Sequence, residues 1–281
     1  MTNTMISEDV LNDILFHLND MNNNYLNQIN NNFLSIRKFC CTSGVVQNLM
    51  SICETFQVDN DVKYIAIEMM DKLIVNLVID TKKVFFETTH ALADHPNAQQ
   101  LDWNSIEDKL KKQMHLRAVT CVAIAVKGYN GSKQMITTTK LRQFLHKCGY
   151  NYSLQNINRS ELRVLRLLDF KLIHNSLYTY VQTLLDVLNH NIVNFSQHLN
   201  AYKIIGKRLT LDMSQNNEEL EIEKIFANKM LIASAIIASV PIVTDVSLYE
   251  QVVIELADIC RIDANLILDT SQAILVVISE V

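Results

Sequence analysis

The stretch from Arg159 to Leu188, RSELRVLRLLDFKLIHNSLYTYVQTLLDVL, constrains the fold more than any other part of the chain. Apolar residues recur at helical spacing on both sides of a short joint, which predicts two amphipathic helices separated by only a few residues. Helices joined so closely bury their apolar stripes against further helices. The rest of the sequence offers few alternatives. Five Gly and two Pro in 281 residues leave little material for turns or bulges, so the chain is predicted to be all-α. A 49% share of hydrophobic residues supports a substantial core, and the length favours two domains over one.

Several function classes fall away on composition and motif. A net charge of −5 gives no support to a broad phosphate-binding surface, although it leaves a local basic patch open, and no direct nucleic-acid partner is expected. Cys40, Cys41, Cys53, Cys121, Cys148 and Cys260 form no C-x-x-C pair and have no His at zinc-site spacing; they read as reduced core thiols. The opening MTNTMISEDV lacks the basic and apolar regions of a secretory signal, and an intracellular protein is expected. The run Leu231–Val243 falls short of the ~20 residues of a membrane span and reads as a buried helix, with no membrane association. There is no phosphate-cradling glycine loop, H-E-x-x-H or nucleophile elbow, and the eight His are scattered. No catalytic residue, metal or cofactor is expected.

Along the chain, residues 7–36 carry a diluted helical stripe, expected either to pack on the first domain or to grip a partner or pair in a coiled coil. Helices are predicted over 44–56, 62–78, 115–130, 137–149 and 154–168, with Gly149 as a C-cap. Residues 81–112, which hold Pro96 and the only Trp, read as an insertion; after Trp103, Asn104 or Ser105 is expected to cap a helix running on to Val126. Five more helices are predicted over 177–188, 198–213, 226–240, 248–260 and 264–278. The small-residue helix KMLIASAIIAS repeats AVTCVAIAVK in character and in rank within its half. The expected domains are an extension over 1–40, a first bundle over 41–173 and a divergent second bundle over 174–281.

These elements resemble the cyclins. The last helix of the first cyclin box reads approximately E-x-x-V/I-L-x-x-L-x-F/W-x-L, and Glu161, Val164, Leu165, Leu168, Phe170 and Leu172 match it; YIAIEMMDKLIV and HLRAVTCVAIAVK are similar to the second and third box helices. The resemblance implies a cyclin fold of two tandem five-helix bundles with an N-terminal helical extension. It also implies a kinase-binding surface. Lys127 and Glu161 stand where the family's lysine and glutamate contact the kinase, and Ile124, Leu165 and Leu172 match positions that receive an aliphatic residue of the kinase helix. Within the cyclins, the segment WNSIEDKLKKQMHLRAVTCVAIAVK most resembles the cyclin N-terminal domain-containing protein 1 family. That family implies a nuclear, non-catalytic factor in meiotic crossover maturation, with a cyclin-dependent kinase and other crossover proteins as partners. Two departures stand out. Gly128 replaces the aromatic residue that commonly follows the lysine, predicting a pocket with one wall missing unless Tyr129 compensates, and the first helix lacks the Met-Arg-Ala-Ile-Leu signature that docks substrates.

Overall fold

The computed structural model describes residues 7–28, 43–93, 103–129, 135–172, 175–192, a few positions between 195 and 203, 228–243 and 248–279. Among these there are helices and no strands. They divide into two compact units, one built from residues 36–174 and the other from the N-terminal helix together with residues from Asn175 onward.

In the first unit the helices are α2 (Ser43–Thr55), α3 (Asn60–Ala93), α4 (Trp103–Gly128), α5 (Thr138–Lys147) and α6 (Leu154–Leu167). At the centre is α4, whose residues Leu116–Val126 are all buried and which packs on α2, α3 and α6. Ala118, Cys121, Ala123 and Ala125 keep its girth small enough for three neighbours to close around it. The buried Thr120 hydroxyl donates to the carbonyl of Leu116 at 2.7 Å, so its burial leaves no unmet hydrogen bond.

The insertion takes a different form from that expected. The helix predicted to stop at Val78 continues to Ala93, and α4 is already helical at Trp103, so Asn104 and Ser105 lie in its first turn and do not precede it. Phe85 meets Trp103 edge to face at 5.4 Å, joining the two extensions through an aromatic contact. Residues 94–102, with Pro96, lie outside the described residues.

The second unit comprises α1 (Glu8–Gln28), α7 (Leu177–Asn191), α8 (Lys229–Val243), α9 (Tyr249–Cys260) and α10 (Ala264–Ser279). Its core helix is α8, buried from Met230 to Pro241 and packed on α7, α9 and α10. Ser234 and Ser239 donate back to the carbonyls of Met230 and Ala235, which makes two hydroxyls tolerable there. The helix expected over 198–213 lies almost wholly outside the described residues.

The N-terminal helix does not dock on the bundle that follows it in sequence, as one reading expected. It packs on α7 and α8, with Leu18 in their core. Asn22, one of the residues that dilutes its apolar stripe, donates to Asn228 Oδ1 at 2.9 Å, and that oxygen also accepts from the Leu231 N–H at the start of α8. One side chain therefore caps α8 and anchors α1.

Of the cysteines, Cys53, Cys121 and Cys260 are buried, and burial pushes their thiols up to about 12, about 12 and about 11. Cys148 is exposed, so it is not a core thiol, and Cys40 and Cys41 lie outside the described residues. No helix among the described residues is long and apolar enough to cross a membrane, and no group of three His, Cys, Asp or Glu is placed to hold a metal.

On α4, His115 accepts from the Asn48 side-chain amide at 3.1 Å, and burial holds its pKa below the usual 6.5. Both states are neutral well above pH 6.5. Below it the unfolded chain takes up a proton that the folded unit resists, so stability falls as pH falls. Urea unfolding at about pH 7.5 and about pH 5.5 is expected to show a larger loss for the wild type than for His115→Gln.

Candidate functional site

Two helix ends and one turn build the site. At the start of α6, the Ser153 hydroxyl accepts from the Asn156 N–H at 3.1 Å and fixes where the helix begins. At its end, the side-chain amide of Asn76, on α3, donates to the Leu167 carbonyl at 2.6 Å, satisfying a group the helix leaves free. Asp169 and Phe170 then adopt left-handed conformations, φ 52° and 56°, with the Phe170 N–H bonded to Leu165 O at 2.8 Å. This turn leaves Phe170 61% exposed and returns the chain toward α4. Leu172 arrives against Gly128, where an added Cβ would lie 3.1 Å from Leu172 Cδ1.

Beside that contact, Lys127 Nζ donates to Glu161 Oε1 at 2.6 Å, and the two side chains are 40% and 22% exposed. Lys127 lies in the last turn of α4, where the helix dipole favours a cation. Glu161 is two turns into α6, beyond the reach of that effect, so the dipole does not account for its placement. Behind the pair, Ile65, Met69, Ile124, Ala125, Gly128, Tyr129 and Leu172 line a shallow depression. Its enclosed space is about 10 Å³, room for about one water molecule. Tyr129 donates its hydroxyl to Asp61 Oδ2 at 2.9 Å; burial, reinforced by that bond, pushes its pKa up to about 12. The phenol thus remains neutral and ties the end of α4 to the start of α3.

No family model matches the chain. It is 24% identical over 187 residues to cyclin N-terminal domain-containing protein 1 of Homo sapiens, an alignment covering 66% of this chain and 54% of that relative. It is 23% identical over 290 residues to the protein of the same name from Mus musculus, covering 96% of this chain and 84% of the relative. The chain thus spans about half the length of the human relative it matches. The X-ray structure of a viral cyclin from herpesvirus saimiri superposes with a TM-score of 0.56 at 14% identity, covering 96% of this chain and 97% of that one. The fold is therefore a cyclin fold. In sequence the chain is similar to cyclin-like proteins.

In this cyclin-like chain, the residues picked out from sequence do not all converge. Lys127 and Glu161 pair, and Ile124 and Leu172 share the depression. Leu165 does not line it; it is half-buried on α6 and supplies the carbonyl that holds the Phe170 turn. Three further contributors, Ile65 and Met69 of α3 and Asn76, were not picked out. Ile65 and Met69 lie one turn apart on α3 and are both buried. Gly128 leaves no open wall, contrary to expectation, because Leu172 stands in the space an aromatic residue would need.

It follows that restoring an aromatic at this position is harmful by itself. Gly128→Phe is expected to displace Leu172 and destabilise the chain by about 1–3 kcal/mol. Adding Leu172→Ala should recover part of that loss, a non-additivity readable in urea denaturation.

Proposed function

We propose that this cyclin-like chain is a non-catalytic regulatory subunit. In this reading it binds a cyclin-dependent kinase through residues 41–173 and promotes meiotic crossover maturation in the nucleus with other crossover proteins. The observation that carries the kinase half is the Lys127–Glu161 pair set beside the apolar depression of Ile124 and Leu172. An ammonium has three donors and a carboxylate two oxygens, so a single mutual bond leaves both groups able to engage peptide groups of a partner. The bond also holds two long side chains in place before a partner arrives, which lowers the entropy cost of docking. Phe170 adds exposed aromatic surface on the same helix-end turn. The meiotic half rests on the resemblance of the Trp103 segment and on relatives that carry the name cyclin N-terminal domain-containing protein 1.

One observation favours a second reading. The depression is nearly closed and Ile124 is only 3% exposed, so an incoming aliphatic side chain finds little room without movement of Leu172. That suits a cyclin-fold scaffold in recombination complexes that does not activate a kinase.

Charge reversal separates partner contact from internal support. Lys127→Glu and Glu161→Arg are each expected to weaken capture of a cyclin-dependent kinase from meiotic extract by at least about tenfold. The double swap K127E/E161K rebuilds the internal bridge with its polarity inverted, and capture should stay lost. Recovery of capture in the double swap would show that the pair only supports the fold. A phosphorylation assay on the recovered complex then distinguishes an activating subunit from a scaffold.

A further inference from the structure

Between Asp108 and Glu161 the chain contains ten Lys or Arg and no Asp or Glu, in a protein with 25 Lys and Arg against 30 Asp and Glu. The rest of the chain therefore holds fifteen cations and all thirty anions. The fold gathers part of this acid-free stretch around an open groove of about 630 Å³ at the α5–α6 junction, lined by Arg142, His146, Lys147, Tyr150, Tyr152 and Ser153, with Gln143 and Asn151. Arg142, His146 and Lys147 are exposed, and neither Arg142 nor Lys147 has an ion-pair partner among the described residues.

The groove has a rigid wall. Gly149, at φ 86°, ends α5 in a turn closed by the Tyr150 N–H bonding Leu145 O at 2.9 Å, and this places Tyr150 on His115 with ring centroids 4.7 Å apart. Tyr152 stacks on Tyr150 at 6.1 Å, extending the row. The groove's lining holds Arg142 and Lys147 and no Asp or Glu. The local field is thus positive in an acidic protein.

We propose that this groove binds a phosphorylated Ser or Thr side chain of a partner protein, with Arg142 and Lys147 as its main phosphate ligands. A guanidinium fork and an ammonium match a phosphate's geometry and charge. Tyr150 is engaged by both His115 and Tyr152 within the protein, which leaves less of its ring free for a base and disfavours single-stranded nucleic acid. The groove also stands apart from Lys127: His115, which backs it, lies twelve residues before Lys127 on α4, about 18 Å along the helix axis. Phosphopeptide and kinase can therefore bind together, and this proposal does not rest on the kinase reading.

The full-length chain is passed over an immobilised degenerate phosphothreonine peptide library and its unphosphorylated counterpart. Retention on the phosphorylated library alone is expected. R142Q/K147Q should weaken it by at least about tenfold, R142K/K147R should keep most of it, and K127E/E161K should leave it unchanged. Because both groove residues are exposed, an unchanged circular dichroism melt is expected for R142Q/K147Q. Equal retention on both libraries, undiminished retention of R142Q/K147Q, or complete displacement by a single-stranded oligonucleotide at lower concentration than by phosphopeptide would overturn the proposal.

Discussion

Burial of α4 on every side from Leu116 to Val126 is the constraint on which the first unit depends. A stretch hidden over three turns can present chemistry only at its edges, and this one does so at both. Its C-terminal end carries Lys127 and Gly128, held against Glu161 and Leu172. Twelve residues earlier, His115 backs the aromatic wall of the basic groove. The small residues that let α2, α3 and α6 approach fix the spacing of both surfaces, because a bulkier side chain at Ala118 or Ala125 would push those neighbours apart.

Helix identity was legible because breakers are scarce and apolar residues recur at helical spacing, as in the Ser153-capped α6 and the Gly149 stop of α5. Element ends were harder to read. The helix α3 runs on to Ala93 because Phe85 has a tertiary partner in Trp103, a contact that no local spacing reveals. The docking of α1 was misjudged for a similar reason: Asn22 counts against a helix by propensity, yet it makes the side-chain bond that reaches α8.

At the candidate site, the pairing of Lys127 with Glu161 joins positions 34 residues apart, and only the family resemblance brought them together beforehand. The resemblance also placed Leu165 with them, whereas the left-handed turn at Asp169 and Phe170 brings Leu172 to Gly128 and leaves Leu165 outside the depression. Such a turn is poorly signalled, since neither residue is glycine. The basic groove was concealed in another way. A whole-chain charge of −5 averages an acid-free segment with a strongly acidic remainder, and proximity of Arg142, Lys147 and Tyr152 exists only once α5 and α6 are placed.

In the proposed reading, the end of α4 and the turn after α6 form one partner-facing surface. Hydrogen–deuterium exchange of the 281-residue chain, alone and with a cyclin-dependent kinase, is the decisive measurement. Slowed exchange should concentrate in residues 124–129 and 161–172, with a smaller effect around Ile65 and Met69. Protection confined to α1 or to residues beyond 175, with those segments unchanged, would contradict the account.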